Sequence, residues 1–307
     1  MAINKVFQAA LKALSYPDLD FKKNYGMARK FEGTIYKEYA GDDVEKQDHF
    51  FDFEERKIRV RSYRAKSAEE KSILVFIHGG GWVLGSVDTY DDTCAELSKA
   101  TNSTVLSIDY SLSPEVKFPV ALEECYKLIK DIFWMNEVLY REKAEITLIG
   151  DSAGGNLVAA LSMMFRDRGE FSVVKQILIY PVTYYTHNPA LSPFESVRSN
   201  GENYLLTAKR LCDYTEMYVN QEENLENPYL APLLAKDFSN LPDTLLITAE
   251  YDPLRDEGES FGVKLKDAGN YVEMYRVEDT LHGFFHLPPK FSYVQTVYQY
   301  INHFLNR

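Results

Sequence analysis

Five short apolar runs recur along the chain: "ILVFI" (73–77), "TVLSID" (104–109), "EITLIG" (145–150), "QILIYP" (176–181) and "TLLITAE" (244–250). Runs so short and so nearly continuous belong to strands buried on both faces, the condition of a parallel sheet covered by helices. Helical patterns lie between several of them, at about 120–135, 154–168 and 256–268, and a last one closes the chain at about 291–306. This alternation predicts an α/β fold around a mostly parallel central sheet. "KIRVRSYR" reads as an early strand and "YVEMYRV" as a late one. At 307 residues the chain buries a core large enough to need neither disulfide nor metal.

Two segments fall outside the alternation. One is residues 1 to about 45, helical and then polar; the other is about 183–228, from "TYYTHNPALSPF" through "TAKRLCDYTEMYVNQ". Both are expected to form a cap over the carboxyl ends of the strands, where open α/β sheets bind their ligands. The main domain then runs from 46 to 307 with the second cap segment inserted in it. Ordinary surface insertions are the alternative. Within the first segment Ile3, Val6, Phe7, Ala10, Leu11 and Leu14 recur at helical spacing. Gln8 and Lys12 break the apolar stretch, so an amphipathic helix is expected and not a signal peptide.

Composition narrows the partners. A net charge of −12 argues against nucleic acid and anionic membranes, which require a basic footprint. No uncharged apolar run is long enough to span a bilayer. Cys94, Cys125 and Cys212 are too few and scattered for a disulfide framework, and a cytoplasmic protein with reduced thiols is expected.

Gly150-Asp151-Ser152-Ala153-Gly154 fits G-x-S-x-G between the strand "EITLIG" and the helical "NLVAALSMMFRDR". A strand that turns straight into a helix needs a strained residue at the bend and glycines where the backbone crowds. Ser152 is thereby thrust out at the strand tip as a candidate nucleophile. The loop "FIHGGGWVLGS" (76–86) follows another strand, and its three glycines leave main-chain N–H groups free of side chains. The amides of Gly80, Gly81 and Ala153 are the expected donors to an oxyanion, and His78 is expected to brace the loop. A phosphate loop would carry a Lys-Ser/Thr pair, which is missing here.

These two motifs, with "DYSLSPE", "FPVALEE", "YLAPLLA" and "TAEYDPLRDEGE", resemble the hormone-sensitive-lipase-like family of α/β-hydrolases, the microbial family IV esterases, from about Ser72 to Phe285. That family builds a cap from its N-terminal and middle insertions. One departure is local: relatives carry Arg-Leu-Ala where this chain has Ser111-Leu112-Ser113.

A serine needs a base, and the order nucleophile, acid, histidine along an α/β-hydrolase selects His282 in "DTLHGFFHL". His286 is the neighbouring rival and is expected to pack against or line the site. As an i, i+4 pair the two histidines lack the third ligand that zinc requires, so no metal is expected. Among the carboxylates of "EYDPLRDEGE", Asp252 lies just past its strand and matches the family's acid. Asp256 and Glu257 fall at the start of the next helix, where they favour its N-terminus.

The resemblance implies a serine carboxylesterase for short- to medium-chain acyl esters, with an acyl-enzyme intermediate, no cofactor and a homodimeric state. Activity is expected to rise with pH through the ordinary histidine range, about 6–7. Trp82, Tyr184 and Tyr185 are the candidate pocket-lining residues. An amidase or deacetylase on the same machinery, or a ligand-binding homologue without turnover, are the alternatives.

Overall fold

The computed structural model describes residues 20–35, 39, 41–66, 72–139, 145–220 and 225–307. The expected helix carrying Ile3 to Leu14 lies outside them. Eight strands form one sheet: β1 (Val44–Phe53), β2 (Arg56–Ala65), β3 (Ser72–Ile77), β4 (Thr104–Asp109), β5 (Glu145–Asp151), β6 (Lys175–Ile179), β7 (Asp243–Tyr251) and β8 (Val272–Leu281). Their spatial order is β1-β2-β4-β3-β5-β6-β7-β8. β2 pairs antiparallel with both β1 and β4, and every pairing from β4 to β8 is parallel.

The helices are α1 (Phe21–Ile35), α2 (Asp91–Thr101), α3 (Val120–Leu139), α4 (Ala153–Arg168), α5 (Glu195–Ser199), α6 (Ala208–Tyr218), α7 (Arg255–Asp267) and α8 (Ser292–Leu305). Alternation along β3 shows how the layers form. Val75 and Ile77 join one core cluster with residues of α3, α4 and α7. Leu74 and Phe76 join the other, with residues of α2 and α8. Each face of the sheet thus has its own core, as the two-sided apolar runs require.

α4 is buried from Ala153 through Phe165. Its opening Ala-Gly-Gly-Asn gives it a slim first turn, and it lies against β5 and β6 like a core element. It ends where Gly169 takes a left-handed conformation and donates its amide to Phe165 O. None of the helices among the described residues is long and apolar enough to cross a membrane.

The five apolar runs and the three helical patterns coincide with these elements to within a few residues. Two elements differ from expectation. β1 is an edge strand with half of its positions exposed and only Val44 buried, so its sequence "VEKQDHFFDF" lacks a buried strand's continuous apolar run. α2 carries Asp91, Asp92, Glu96 and Lys99 among its few apolar residues, which masks its helical period.

The chain reverses its direction of travel across the sheet between β3, whose next strand lies on one side, and β5, which lies on the other. A crevice opens at such a switch point, outside the carboxyl ends of the strands. The two glycine motifs follow β3 and β5.

Candidate active site

At the end of β5 the chain turns directly into α4, and Ser152 takes φ 53° and ψ −119°. A non-glycine residue there costs about 1–3 kcal/mol. Three main-chain bonds hold it: Ser152 N donates to Ile179 O, while Asn156 N and Val182 N donate to Ser152 O. The Asn156 side chain adds bonds to Val182 O and Leu230 O, tying the turn to the chain after β6.

The flanking glycines have different neighbours. A Cβ on Gly150 would come within 2.5 Å of Gly154 O, the crowding that a sharp turn implies. A Cβ on Gly154 would instead run into Ile77 O and His78 O at the end of β3. The second glycine therefore serves the close approach of α4 to the neighbouring strand. The crowding expected at the bend itself is what a Cβ on Gly150 meets.

After β3, Val83 N and Leu84 N both donate to Gly80 O, which folds the loop into a turn. Gly80 and Gly81 have φ of 106° and 62°, in the region that favours glycine. Their own amides donate to no group among the described residues. At the first turn of α4 the amide of Ala153 likewise lies ahead of the helix's own bonding. His78 is fully buried; Nδ1 lies 2.8 Å from Gly79 O, and the ring stacks on Tyr110 at 4.3 Å. Burial pushes its pKa down, so it braces the loop as a neutral ring.

His282 and Asp252 reach Ser152 from the far ends of β8 and β7. His282 Nε2 lies 2.9 Å from Ser152 Oγ, and His282 Nδ1 lies 2.7 Å from Asp252 Oδ2. A carboxylate can only accept, so Nδ1 carries the proton and Nε2 presents its lone pair to the hydroxyl. Asp252 is fully buried, and its other oxygen accepts the amide of Leu254 at 2.8 Å. Asp256 and Glu257 lie in the first turn of α7, as expected, and Glu257 also has a buried task. Its Oε1 accepts the amides of Thr183 and Tyr184, and its Oε2 lies 2.9 Å from His187 Nε2.

His286 turns away from the Ser152–His282 pair. Its Nε2 lies 3.1 Å from Asp151 Oδ2 and its Nδ1 3.3 Å from Thr93 Oγ1. Among the described residues no group of three or more His, Cys, Asp or Glu could hold a metal ion.

These residues open onto a cavity of about 370 Å³, lined among others by Gly80, Gly81, Ser152, His282 and His286. Glu32 of α1 and Leu205, Leu206, Arg210, Leu211 and Tyr214 of the 183–228 segment also form its wall. Trp82 borders it with its indole stacked on Tyr218 of α6, ring centres 4.4 Å apart. Tyr184 and Tyr185 are not among the lining residues, contrary to expectation. Glu257 draws the backbone at Tyr184 inward, and its ring packs on Tyr185 and Phe194 instead. Glu32, His187, Arg210 and Tyr214 are among the lining groups that the sequence did not single out. Their only signal was position in the two segments outside the strand–helix alternation.

The departure at Ser111 also has a structural counterpart. Glu124, fully buried, accepts the Ser111 amide and hydroxyl, each at 2.8 Å, and pairs with Arg56 of β2 at 3.1 Å. The cation beside Glu124 thus comes from strand β2.

The comparisons agree with this geometry. A family model described as the alpha/beta hydrolase fold matches residues 74–286. An arylesterase of Saccharolobus solfataricus is 35% identical over 248 residues, 80% of this chain and 78% of that protein. A carboxylic ester hydrolase of Mycobacterium tuberculosis is 36% identical over 239 residues, 75% of this chain; the match spans only 61% of that longer protein. The solved structure of a hyperthermophilic esterase from Pyrobaculum calidifontis superposes with a TM-score of 0.84 at 34% identity, covering 99% of this chain and 97% of that one. A sheet that reverses between β3 and β5, a strained serine at that reversal and these esterase relatives have one common explanation: the chain belongs to the α/β-hydrolase family, among its hormone-sensitive-lipase-like esterases.

Proposed function

We propose that this carboxylesterase cleaves short- to medium-chain acyl esters, with Ser152 as nucleophile, His282 as base and Asp252 as its orienting acid. The observation that carries the reading is the continuous relay from Asp252 to His282 to Ser152, 2.7 and 2.9 Å long, at the wall of a cavity. In the forward step Ser152 Oγ attacks the ester carbonyl while its proton passes to His282 Nε2. The imidazolium then gives that proton to the departing alcohol, and Asp252 stabilises the charged ring in between. Water, activated by the same histidine, releases the acid and restores the serine.

The amides of Gly80, Gly81 and Ala153 are the proposed donors to the tetrahedral oxyanion; each such bond typically contributes about 10²–10³ in turnover. Donors fixed before the reaction need no reorganisation as charge develops. Residues 1–45 and 183–228 are proposed as the cap, a reading supported by Glu32, Leu205, Leu206 and Leu211 in the cavity wall. A volume of about 370 Å³ fits a short acyl chain better than a long one. Cys94 and Cys125 are buried free thiols and Cys212 is also free, which supports a reducing, cytoplasmic setting.

The test is a series of p-nitrophenyl esters from acetate to palmitate, run beside Ser152→Ala. Turnover is expected to peak at butyrate or hexanoate, and the variant to lose about 10⁴–10⁶ in kcat with unchanged thermal unfolding. A peak at palmitate would remove the short-acyl assignment, and undiminished turnover in Ser152→Ala would remove the nucleophile.

A further inference from the structure

The two loop amides proposed as oxyanion donors are each half of a planar peptide unit. In a trans unit the C=O and the N–H point opposite ways, so whatever holds the carbonyl also aims the amide. The cis peptide bonds among the described residues precede Pro114 and Pro119, and the loop's units are trans. The Gly80 N–H shares its unit with Gly79 O, which accepts a bond from His78 Nδ1, 2.8 Å away. The Gly81 N–H shares its unit with Gly80 O, which accepts the amides of Leu84 at 2.8 Å and Val83 at 3.1 Å.

The Leu84 N–H belongs in turn to the unit whose carbonyl oxygen is Val83 O. That oxygen accepts Arg29 Nε–H of α1 at 2.8 Å. A continuous line therefore runs from the Arg29 guanidinium, through the 83–84 and 80–81 units, to the Gly81 N–H. Arg29 is itself clamped. Its Nη2 donates to Ser113 O at 2.7 Å, and Nη1 and Nη2 reach Oε1 and Oε2 of Glu115 at 2.8 and 2.9 Å. A bidentate guanidinium–carboxylate pair fixes direction as well as distance. The same helix holds the far end of the loop, where Gly85 N donates to Glu32 Oε2 at 3.2 Å. Val83 and Leu84 pack with Phe21 of α1 and Met217 of α6, in a cluster separate from the two cores that flank the sheet.

We infer that Arg29 is a positioning residue for the esterase reaction: it orients and polarises the Gly81 N–H through two hydrogen-bonded peptide units. This rests on the esterase reading above. Hydrogen bonds in series strengthen one another, by roughly 10–30% per bond, and the charge of an arginine is permanent. Arg29 is not among the residues lining the cavity, and it exchanges no proton. Its contribution grows as negative charge reaches the substrate oxygen, so it acts on kcat and leaves KM nearly alone. Helix α1 thus aims a donor in addition to walling the cavity.

The experiment measures kcat and KM for p-nitrophenyl butyrate at pH 8, with inhibition by a butyl trifluoromethyl ketone. In the ketone adduct Ser152 Oγ bonds to the carbonyl carbon, its proton passes to His282, and the carbonyl electrons rest on the oxygen facing the loop amides. The proteins are the wild type, Arg29→Gln, a variant with leucic acid in place of Leu84, and the combination. Leucic acid replaces the Leu84 N–H by an ester oxygen and weakens Val83 O as an acceptor, so it cuts the line on both sides of one unit. Arg29→Gln is expected to lose about tenfold in kcat, less than a deleted oxyanion donor costs, with KM within about twofold. Ketone affinity is expected to fall by the same factor as kcat/KM. In the ester background, adding Arg29→Gln is expected to change kcat by less than about twofold. A loss carried by KM, an unchanged ketone affinity, or the same tenfold loss in the ester background would overturn the inference, since a helix that only packs predicts these. Should either single variant not fold, the other, measured with the ketone, decides by itself. A burst of p-nitrophenol from the wild type that is absent in Ser152→Ala distinguishes failure here from failure of the esterase reading.

Discussion

The turn at Ser152 and helix α6 both border the same cavity, yet they are held in opposite ways. The turn is fixed by main chain against main chain: Gly154 under Ile77 O and His78 O, Ser152 between Ile179 and Val182. α6 and its neighbour α1 are fixed by side chains meeting across long stretches of sequence. Phe21 of α1 meets Tyr214 of α6 edge to face at 5.1 Å, and Arg210 lies over the Phe21 ring at 3.9 Å. Arg29 of α1 reaches Val83 O, Ser113 O and both oxygens of Glu115. Main-chain packing tolerates almost no added atom, whereas a side-chain contact can be thinned without breaking the element that carries it. The contrast shows where this molecule is rigid and where it can adapt.

The sharpest way to break the comparison is Gly154→Ala. The added methyl would overlap the carbonyl oxygens of Ile77, at the end of β3, and of His78 just after it, neither at the end of a flexible side chain. A loss of about 3 kcal/mol or more in unfolding free energy is expected, measured by chemical denaturation, together with loss of activity. A variant as stable as the parent would mean that the core turn is no more rigid than the covering helices. Tyr214→Ala tests the other region. It removes an aromatic contact with Phe21 and the ring that covers Gly81. The expected effect is about tenfold in kcat/KM, mostly in KM, with a stability loss near 1–2 kcal/mol. A larger loss of stability than in Gly154→Ala would reverse the ordering.

Glu32→Gln is the mildest probe. Burial raises the Glu32 carboxyl above its ordinary value, against the weaker pull of the Gly85 amide and the charges of His286 and Arg29. An acid with a raised folded pKa loses stability as pH climbs from its unfolded value through its folded one. The neutral amide escapes that loss. Glu32→Gln is therefore expected to be slightly more stable than the parent at pH 7, by less than about 1 kcal/mol, and indistinguishable from it at pH 4. Thermal melts at the two pH values decide it. Asp151 has the opposite sign. Burial would raise its carboxyl, but the His286 charge and the bonds from His286, Tyr90 and Gly79 outweigh that and hold it low. Its contribution is present above the unfolded value and lost as pH falls through the folded one.

The same division accounts for what could be read from the chain beforehand. Strands β3, β5 and β7 announce themselves because burial on both faces demands unbroken apolar runs. Ser152 and the loop at 78–81 are legible because tight backbone geometry selects glycine locally. "QILIYP" overran its strand: β6 ends at Ile179, and Tyr180 takes φ 37° while its amide still donates to Ile247 O of β7. Tyr184 lies away from the cavity because Glu257, more than seventy residues on, holds its amide, and Tyr185 packs on its ring. Glu32, His187 and the Arg56–Glu124 pair were equally invisible, since a side chain's partner across the sheet leaves no periodicity in its own segment.

Gly81 bears one more obligation. A Cβ at this position would collide with the ring of Tyr214, so the absence of a side chain there is as much a seat for α6 as an opening for the oxyanion. The two pieces of chain are therefore not free to diversify independently. Transplanting a different covering segment onto this scaffold, to reshape what it accepts, would succeed only if the newcomer brought a residue of matching bulk to rest on that bare stretch of backbone.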